Sequence, residues 1–547
     1  MRVAEAVGRA LAASGVDHVF GVVGSGNFHV TNALIAAGAR FVAARHEGGA
    51  ATMADAYART SGRVAALTVH QGPGLTNALT GITEAVKSGT PLVVLAPEAT
   101  EPRSNFHLDQ EALVRAVGAT TVRITSARDA VERTGGAINT AVAGRTTVVL
   151  ALPLTVQSEE VPDPTAAERL GPPPAREPVE PTDADTAALA RLLADARRPV
   201  FVAGRGARGP AARDALTALA ERYGALLATS AVARGLFPDD PWSLGVSGGF
   251  ASPLAAELVQ GADLIVGWGC ALNMWTMRHG RLIGPRTKVA QIDDVPSALG
   301  AHRPVDLGVT GDVERTARRV LETDTGTHQG YRTPETGAAI AARAHWRDVP
   351  YDDDSTHERI DPRTLSIVLD TLLPAERVIG VDSGNFMGYP SVYLSAPDEN
   401  GFCFTQAFQS IGLGLATAIG AALARPDRLP VAALGDGGAL MGAAELDTVR
   451  RLGLPMVVVV YNDDSYGAEV HHFGPDGHPL GTVEFPPTDL AAVARGYGFE
   501  TLTVRSADDL KGVGNWLAGP RSAPLLIDAK VTRDRGAWWL EEAFRGH

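Results

Sequence analysis

Two acidic residues each follow an apolar run, 27 positions apart. LPVAAL (429–434) leads into Gly435-Asp436-Gly437-Gly438, and PMVVVVY leads into Asn462-Asp463-Asp464-Ser465-Tyr466-Gly467. Two carboxylates joined by phosphate oxygens make a hard, oxygen-rich site of the kind Mg²⁺ prefers. Glycines beside Asp436 let backbone amides approach a phosphate where a helix begins. Other runs also end in polar or glycine-rich loops. Gly24-Ser25-Gly26-Asn27 follows HVFGVV, and Arg45-His46-Glu47-Gly48-Gly49-Ala50 follows RFVAA. His70-Gln71-Gly72-Pro73-Gly74, with Thr76 and Asn77, follows RVAALTV. Gly204-Arg205-Gly206-Ala207-Arg208-Gly209 follows PVFVA; this spacing first suits a plain strand-to-helix turn, and also a flavin or another nucleotide.

These loops need a frame that brings them together. The segment from 429 to 461 is one strand–helix–strand unit, with the helix expected at about 439–452. A right-handed crossover makes its strands parallel, so Asp436 and Asp463 emerge at the same sheet edge. Similar apolar runs, continuous rather than alternating, recur along the chain. Such runs suit strands covered on both faces. The fold class is α/β, with three consecutive open parallel-sheet domains expected at 1–160, 185–322 and 362–547. Pro- and charge-rich stretches at about 157–184 and 323–361 are expected to be linkers on the outside. Val3, Ala6, Val7, Ala10 and Leu11 predict an amphipathic N-terminal helix without the apolar core of a signal peptide. Ligands of open parallel sheets bind beyond the carboxyl ends of the strands, where all the loops named above lie.

The chain has 547 residues and a net charge of −13, which argues against nucleic acid and anionic membrane surfaces as partners. Cys270 and Cys403 are too far apart in sequence for a disulfide framework or a Cys-based zinc site, and a reducing, cytoplasmic setting is expected. No stretch approaches the roughly 20 apolar residues that span a bilayer. His471 and His472 have no third ligand at useful spacing for a metal.

The pattern GDG, roughly two dozen residues, then Asn462-Asp463 resembles the signature of the thiamine-diphosphate enzymes. The resemblance implies pyrimidine-binding, central and diphosphate-binding domains. It implies Mg²⁺ on Asp436, Asp463 and the Ser465 carbonyl, with Asp463 standing where the family usually has Asn. RHEGGAATMADAYAR and the following GPGLTNALTGITEAVKSGTPLVVLA resemble the family's glutamate segment, so Glu47 is expected to activate the cofactor. Gly24, Asn77, Ser383, Gly384, Asn385, Ser410, Ile411, Gly435, Gly437, Gly438, Tyr466 and Gly467 are the expected cofactor contacts, with Ile411 wedged beneath it. In this family the glutamate and the diphosphate site come from different subunits, which implies a homodimer or homotetramer.

Across nearly the whole chain the resemblance is to acetolactate-synthase-like enzymes. It implies decarboxylation of a 2-oxo acid, with carboligation of the resulting enamine to a second carbonyl. Several pocket positions differ. Asp382-Ser383-Gly384-Asn385-Phe386-Met387 replaces the Gly-Gln-His-Gln usual in the synthases. Ser25 and His70 fall where benzoylformate decarboxylase has an active-site serine and histidine, and Glu469 where pyruvate-decarboxylase-type enzymes place a glutamate. Gln71 joins them as a substrate-side candidate, and Met274, Trp275 and His279 are candidates for bordering the substrate. A decarboxylase releasing an aldehyde, a flavin-dependent oxidase and a catalytically silent homologue therefore stand as alternatives.

Overall fold

A computed structural model describes residues 1–540; the expected third domain's last residues, 541–547, lie outside the described residues. Three six-stranded sheets follow one another, each wholly parallel. The first contains β1 (His18–Gly21), β2 (Arg40–Ala43), β3 (Ala65–Thr68), β4 (Leu92–Glu98), β5 (Thr120–Arg123) and β6 (Thr147–Pro153), in the order β2-β1-β3-β4-β6-β5. The second contains β7 (Pro199–Ala203), β8 (Leu226–Thr229), β9 (Ser243–Val246), β10 (Leu264–Trp268), β11 (Lys288–Asp293) and β12 (Leu307–Thr310), in the order β12-β11-β10-β7-β8-β9. The third contains β13 (Arg377–Val381), β14 (Phe402–Phe404), β15 (Leu429–Gly435), β16 (Val457–Asn462), β17 (Glu500–Val504) and β18 (Leu525–Lys530), in the order β14-β13-β15-β16-β18-β17.

The first and third sheets share one plan, whereas the second has the doubly wound order typical of dinucleotide binders. In each sheet the strand order reverses at one point and opens a crevice beyond the strand ends. That point lies between β1 and β3 in the first sheet, β7 and β10 in the second, and β13 and β15 in the third.

Long apolar strands such as β6, β15 and β16 are buried along almost their whole length, because helices cover both faces. The N-terminal helix Val3–Ala13 forms as expected and buries Val3, Ala6, Val7, Ala10 and Leu11. Strands β5, β9, β12, β14 and β17 lie at sheet edges and were not among the apolar runs. An edge strand has one neighbour and little need for a long apolar run.

The expected helix at about 439–452 is corrected. It starts at Asp436, runs to Met441, breaks at Gly442, and resumes at Leu446–Leu452. The stretch 323–361 contains the helix Pro334–Arg343, capped by Thr333, which accepts from the Thr336 amide. It buries Ile340 against the second sheet's core.

The first and third sheets also share a core. Helix Glu47–Ser61 crosses helix Gly414–Ala424 so closely that a Cβ on Gly420 would lie 2.2 Å from the Met53 carbonyl oxygen. Met53, Ala54 and Ala58 from one helix and Ala418, Ile419 and Ala422 from the other sit in a single apolar cluster.

Candidate active site

The third sheet's edge brings three loops together: 382–387 after β13, 435–438 after β15 and 463–467 after β16. Asp436 opens a helix and Asp463 follows its strand, and the two carboxyl groups lie within hydrogen-bonding reach of each other. Burial, followed by the charge of Asp463, pushes Asp436 up to about 8; burial raises Asp463 as well. The next carboxylate, Asp464, has φ +56° and is paired with Arg359.

The backbone here is bare. A Cβ on Gly437 would lie 2.5 Å from the Tyr466 ring, and on Gly467 2.4 Å from Asp463 Oδ2. One on Gly438 would lie 2.3 Å from Asp382 Oδ2. Asn385 carries a buried Oδ1 without a partner among the described residues. Hard oxygen donors, bare glycine backbone and an orphaned acceptor fit a metal ion with a diphosphate.

Asp382 organises the loop that carries Ile411. Its carboxylate accepts from the amides of Ser383 (2.8 Å), Gly412 (3.0 Å) and Leu413 (3.2 Å). Burial pushes its carboxyl up to about 6 despite those amides. Ile411 is 37% exposed and faces a cavity of about 1270 Å³. Ser383, Gly384, Asn385, Gly435, Asp436, Gly437, Gly438, Asp463, Ser465, Tyr466, Gly467 and Glu469 line the same cavity. Ser410 lies beside it, with its hydroxyl on the Ile411 carbonyl.

The cavity continues to the carboxyl ends of β7, β10 and β11, where Gly204, Gly269, Asp293, Met274 and Trp275 line it. The glycines there serve loop packing, since a Cβ on Gly204 would lie 2.3 Å from the Gly269 carbonyl oxygen. Arg205 reaches out to the Ser88 carbonyl of the first domain.

The remaining candidates gather elsewhere. Glu47 is buried at the start of its helix and accepts from Asn77 Nδ2 at 3.1 Å. Behind it, Gly74 leaves room only for a Cβ at 3.4 Å from Glu47 Oε1. Beyond β1 and β3, the Gly24 amide donates to Asn27 Oδ1 at 2.8 Å and the Gly26 amide to His70 Nδ1 at 3.4 Å. Gln71 is buried, its Oε1 without a partner among the described residues, and Ser25 is exposed. None of Glu47, Ser25, Gly24, His70, Gln71 and Asn77 is among the residues lining the chain's own cavity. His471 does not join Glu469 there either: burial lowers its pKa and it packs against Gly536. His472 stacks edge-on with Phe473, and His279 is likewise outside the lining.

Three family descriptions match the chain in order. They are the thiamine pyrophosphate enzyme N-terminal TPP binding domain at residues 1–116, the central domain at 186–320 and the C-terminal TPP binding domain at 382–529. The chain belongs to the thiamine pyrophosphate enzymes. The two TPP binding domains contain the first and third loop clusters, so thiamine diphosphate is the family's ligand for both.

Relatives include the acetolactate synthase large subunit of Parasynechococcus marenigrum, 27% identical over 97% of this chain and 87% of the relative. The sulfoacetaldehyde acetyltransferase of Alcaligenes xylosoxydans is 28% identical over 86% and 82%. A probable 2-ketoarginine decarboxylase of Pseudomonas aeruginosa is 30% identical over 93% and 90%. Among this thiamine pyrophosphate enzyme's described residues, no helix is long and apolar enough to cross a membrane.

Sequence reasoning missed Asp382 and Glu84 as supports of the site. Asp382 ends an apolar run just as Asp436 does, so the strand-end rule could have found it. Glu84 has no such signal. It is buried with Arg59 and accepts from the amides of Ala407 (3.1 Å) and Phe408 (2.6 Å) ahead of Ile411.

Proposed function

We propose that this chain is a cytoplasmic, Mg²⁺- and thiamine-diphosphate-dependent enzyme that decarboxylates a 2-oxo acid and joins the product to a second carbonyl compound. One observation carries the proposal: Asp436, Asp463, Asn385 and Ile411 come from separate loops and line one cavity. When bound, the cofactor supplies a carbon nucleophile and an electron sink for loss of CO₂.

Asp436, Asp463 and the Ser465 carbonyl would hold the metal. Ser383, Gly384, Asn385, Ser410, Gly435, Gly437, Gly438, Tyr466 and Gly467 would receive the diphosphate, and Ile411 would press beneath the cofactor. Glu47, oriented by Asn77, would hold or accept a proton at the pyrimidine ring, with Gly24 near the ring's edge. Ser25, His70 and Gln71 would face the substrate.

Glu47 is not among the residues that line its own chain's cavity, which supports a site completed by a second copy. Exposed Phe408, Leu440 and Met441 at the third sheet's site edge, and Val23, Phe28 and Phe106 at the first sheet's, suit burial in a homodimer or a dimer of dimers.

Glu469 favours a second outcome, simple aldehyde release. Its side chain lines the cavity and forms no hydrogen bond to another described residue. A proton held there would end the reaction before a carbonyl acceptor arrives. The crevice beyond β7 and β10 has the topology for a flavin, and a yellow purified protein that consumes oxygen would move the assignment to an oxidase.

The deciding experiment offers a panel of 2-oxo acids, with and without aldehyde acceptors, and reads product masses. A hydroxyketone containing both carbon skeletons is expected. Aldehyde alone indicates the decarboxylase, and no cofactor-dependent CO₂ from any acid rejects both.

A further inference from the structure

Once a divalent cation displaces their protons, Asp436 and Asp463 would present two negative charges at one point, equal and opposite to it. Their carboxyl groups are in reach of each other. The groups that hydrogen-bond them are neutral: the Ser465 and Asn385 side chains, and the amides of Asp436, Gly437 and Ser465. Arg359 pairs with the neighbouring Asp464 and donates to the carbonyls of Asn462 and Val531. Asp463 is also fixed in place, since Gly467 packs so closely that it has no room for a side chain beside Oδ2. Beside the pair, Asn385 Oδ1, without a partner among the described residues, is an acceptor suited to a cation-bound water.

An amide at position 463 would leave a single negative charge, and the cation would then need the diphosphate to complete its charge balance. With a carboxylate there, the protein alone supplies that balance, and cation affinity rises with ligand charge. We propose that this chain seats a divalent cation on Asp436 and Asp463 before, and without, the diphosphate, and that Asp463 is the residue that makes the cation site self-sufficient. The proposal deepens the thiamine-diphosphate and Mg²⁺ assignment of this cavity and rests on it.

The test uses the full chain, stripped of cation and cofactor with a chelator. Mn²⁺ is titrated by electron paramagnetic resonance and Mg²⁺ by calorimetry, each with and without thiamine diphosphate. Wild type is expected to bind Mn²⁺ in both conditions. Asp463→Asn, with its fold checked by thermal melting, is expected to bind Mn²⁺ at least roughly tenfold more weakly without thiamine diphosphate. Its binding should recover when thiamine diphosphate is added, because the amide oxygen is still a ligand. Wild type that takes Mn²⁺ only with thiamine diphosphate overturns the proposal and leaves the cofactor assignment standing. Asp463→Asn that matches wild type without cofactor also overturns it. No binding in either condition overturns the proposal and the cofactor assignment together.

Discussion

On the proposed function, Glu47 and Asp436 would have separable tasks, one at the proton and one at the metal. Glu47→Gln keeps the shape and the Asn77 contact but cannot accept a proton. Turnover should fall by about 10² or more while calorimetry still detects cofactor binding; full activity would reject the role of Glu47. Asp436→Ala should instead abolish Mg²⁺-dependent cofactor retention, measured by the same calorimetry. Asp382 yields a prediction about pH. Its carboxyl is raised from 3.8 to about 6 by burial. Between those values the folded chain keeps a proton that the unfolded chain has lost. Stability from this group therefore falls as pH rises through that window and is level above it. The full effect is about 3 kcal/mol at about 1.4 kcal/mol per unit. Denaturant unfolding of wild type and Asp382→Asn should show a stability gap that shrinks by about that amount from pH 4 to pH 7. A gap independent of pH would remove Asp382 as the titrating group.

At the scale of elements, the crossing of helices Glu47–Ser61 and Gly414–Ala424 fixes one domain against the other. Gly420→Ala would push a methyl into the Met53 carbonyl, and backbone cannot rotate aside as a side chain can. A loss of about 1–3 kcal/mol is expected on thermal or denaturant unfolding. An unchanged melting temperature would mean that the helices separate freely. The same crossing lets Arg59 and Glu84 of the first domain hold the loop that leads to Ile411. Interior strands such as β15 and β16 were legible because burial on both faces demands uninterrupted apolar runs. Edge strands β5, β14 and β17 were not, because pairing with one neighbour places little demand on side-chain type.

For the whole molecule, the separation of Glu47 from its own chain's cavity leads to a complementation test. Glu47→Gln and Asp436→Ala should each be inactive alone. If sites form between chains, co-expression would give mixed dimers in which one of two sites pairs an intact Glu47 with an intact Asp436. Random assortment predicts about a quarter of wild-type activity if sites form between chains. No recovery would place both residues of a site in one chain.

The amino-acid sequence by itself determined the parallel α/β class and the pairing of Asp436 with Asp463. Continuous apolar runs admit few sheet types, and a right-handed crossover sends both strand ends to one edge. Only the tertiary structure decided that the central domain's glycines pack on Gly269, that Asp382 and Glu84 support the Ile411 loop, and that His471 and His472 lie outside the cavity lining. Those outcomes depend on contacts between segments far apart in the chain, and no local pattern encodes which distant surface a loop will meet.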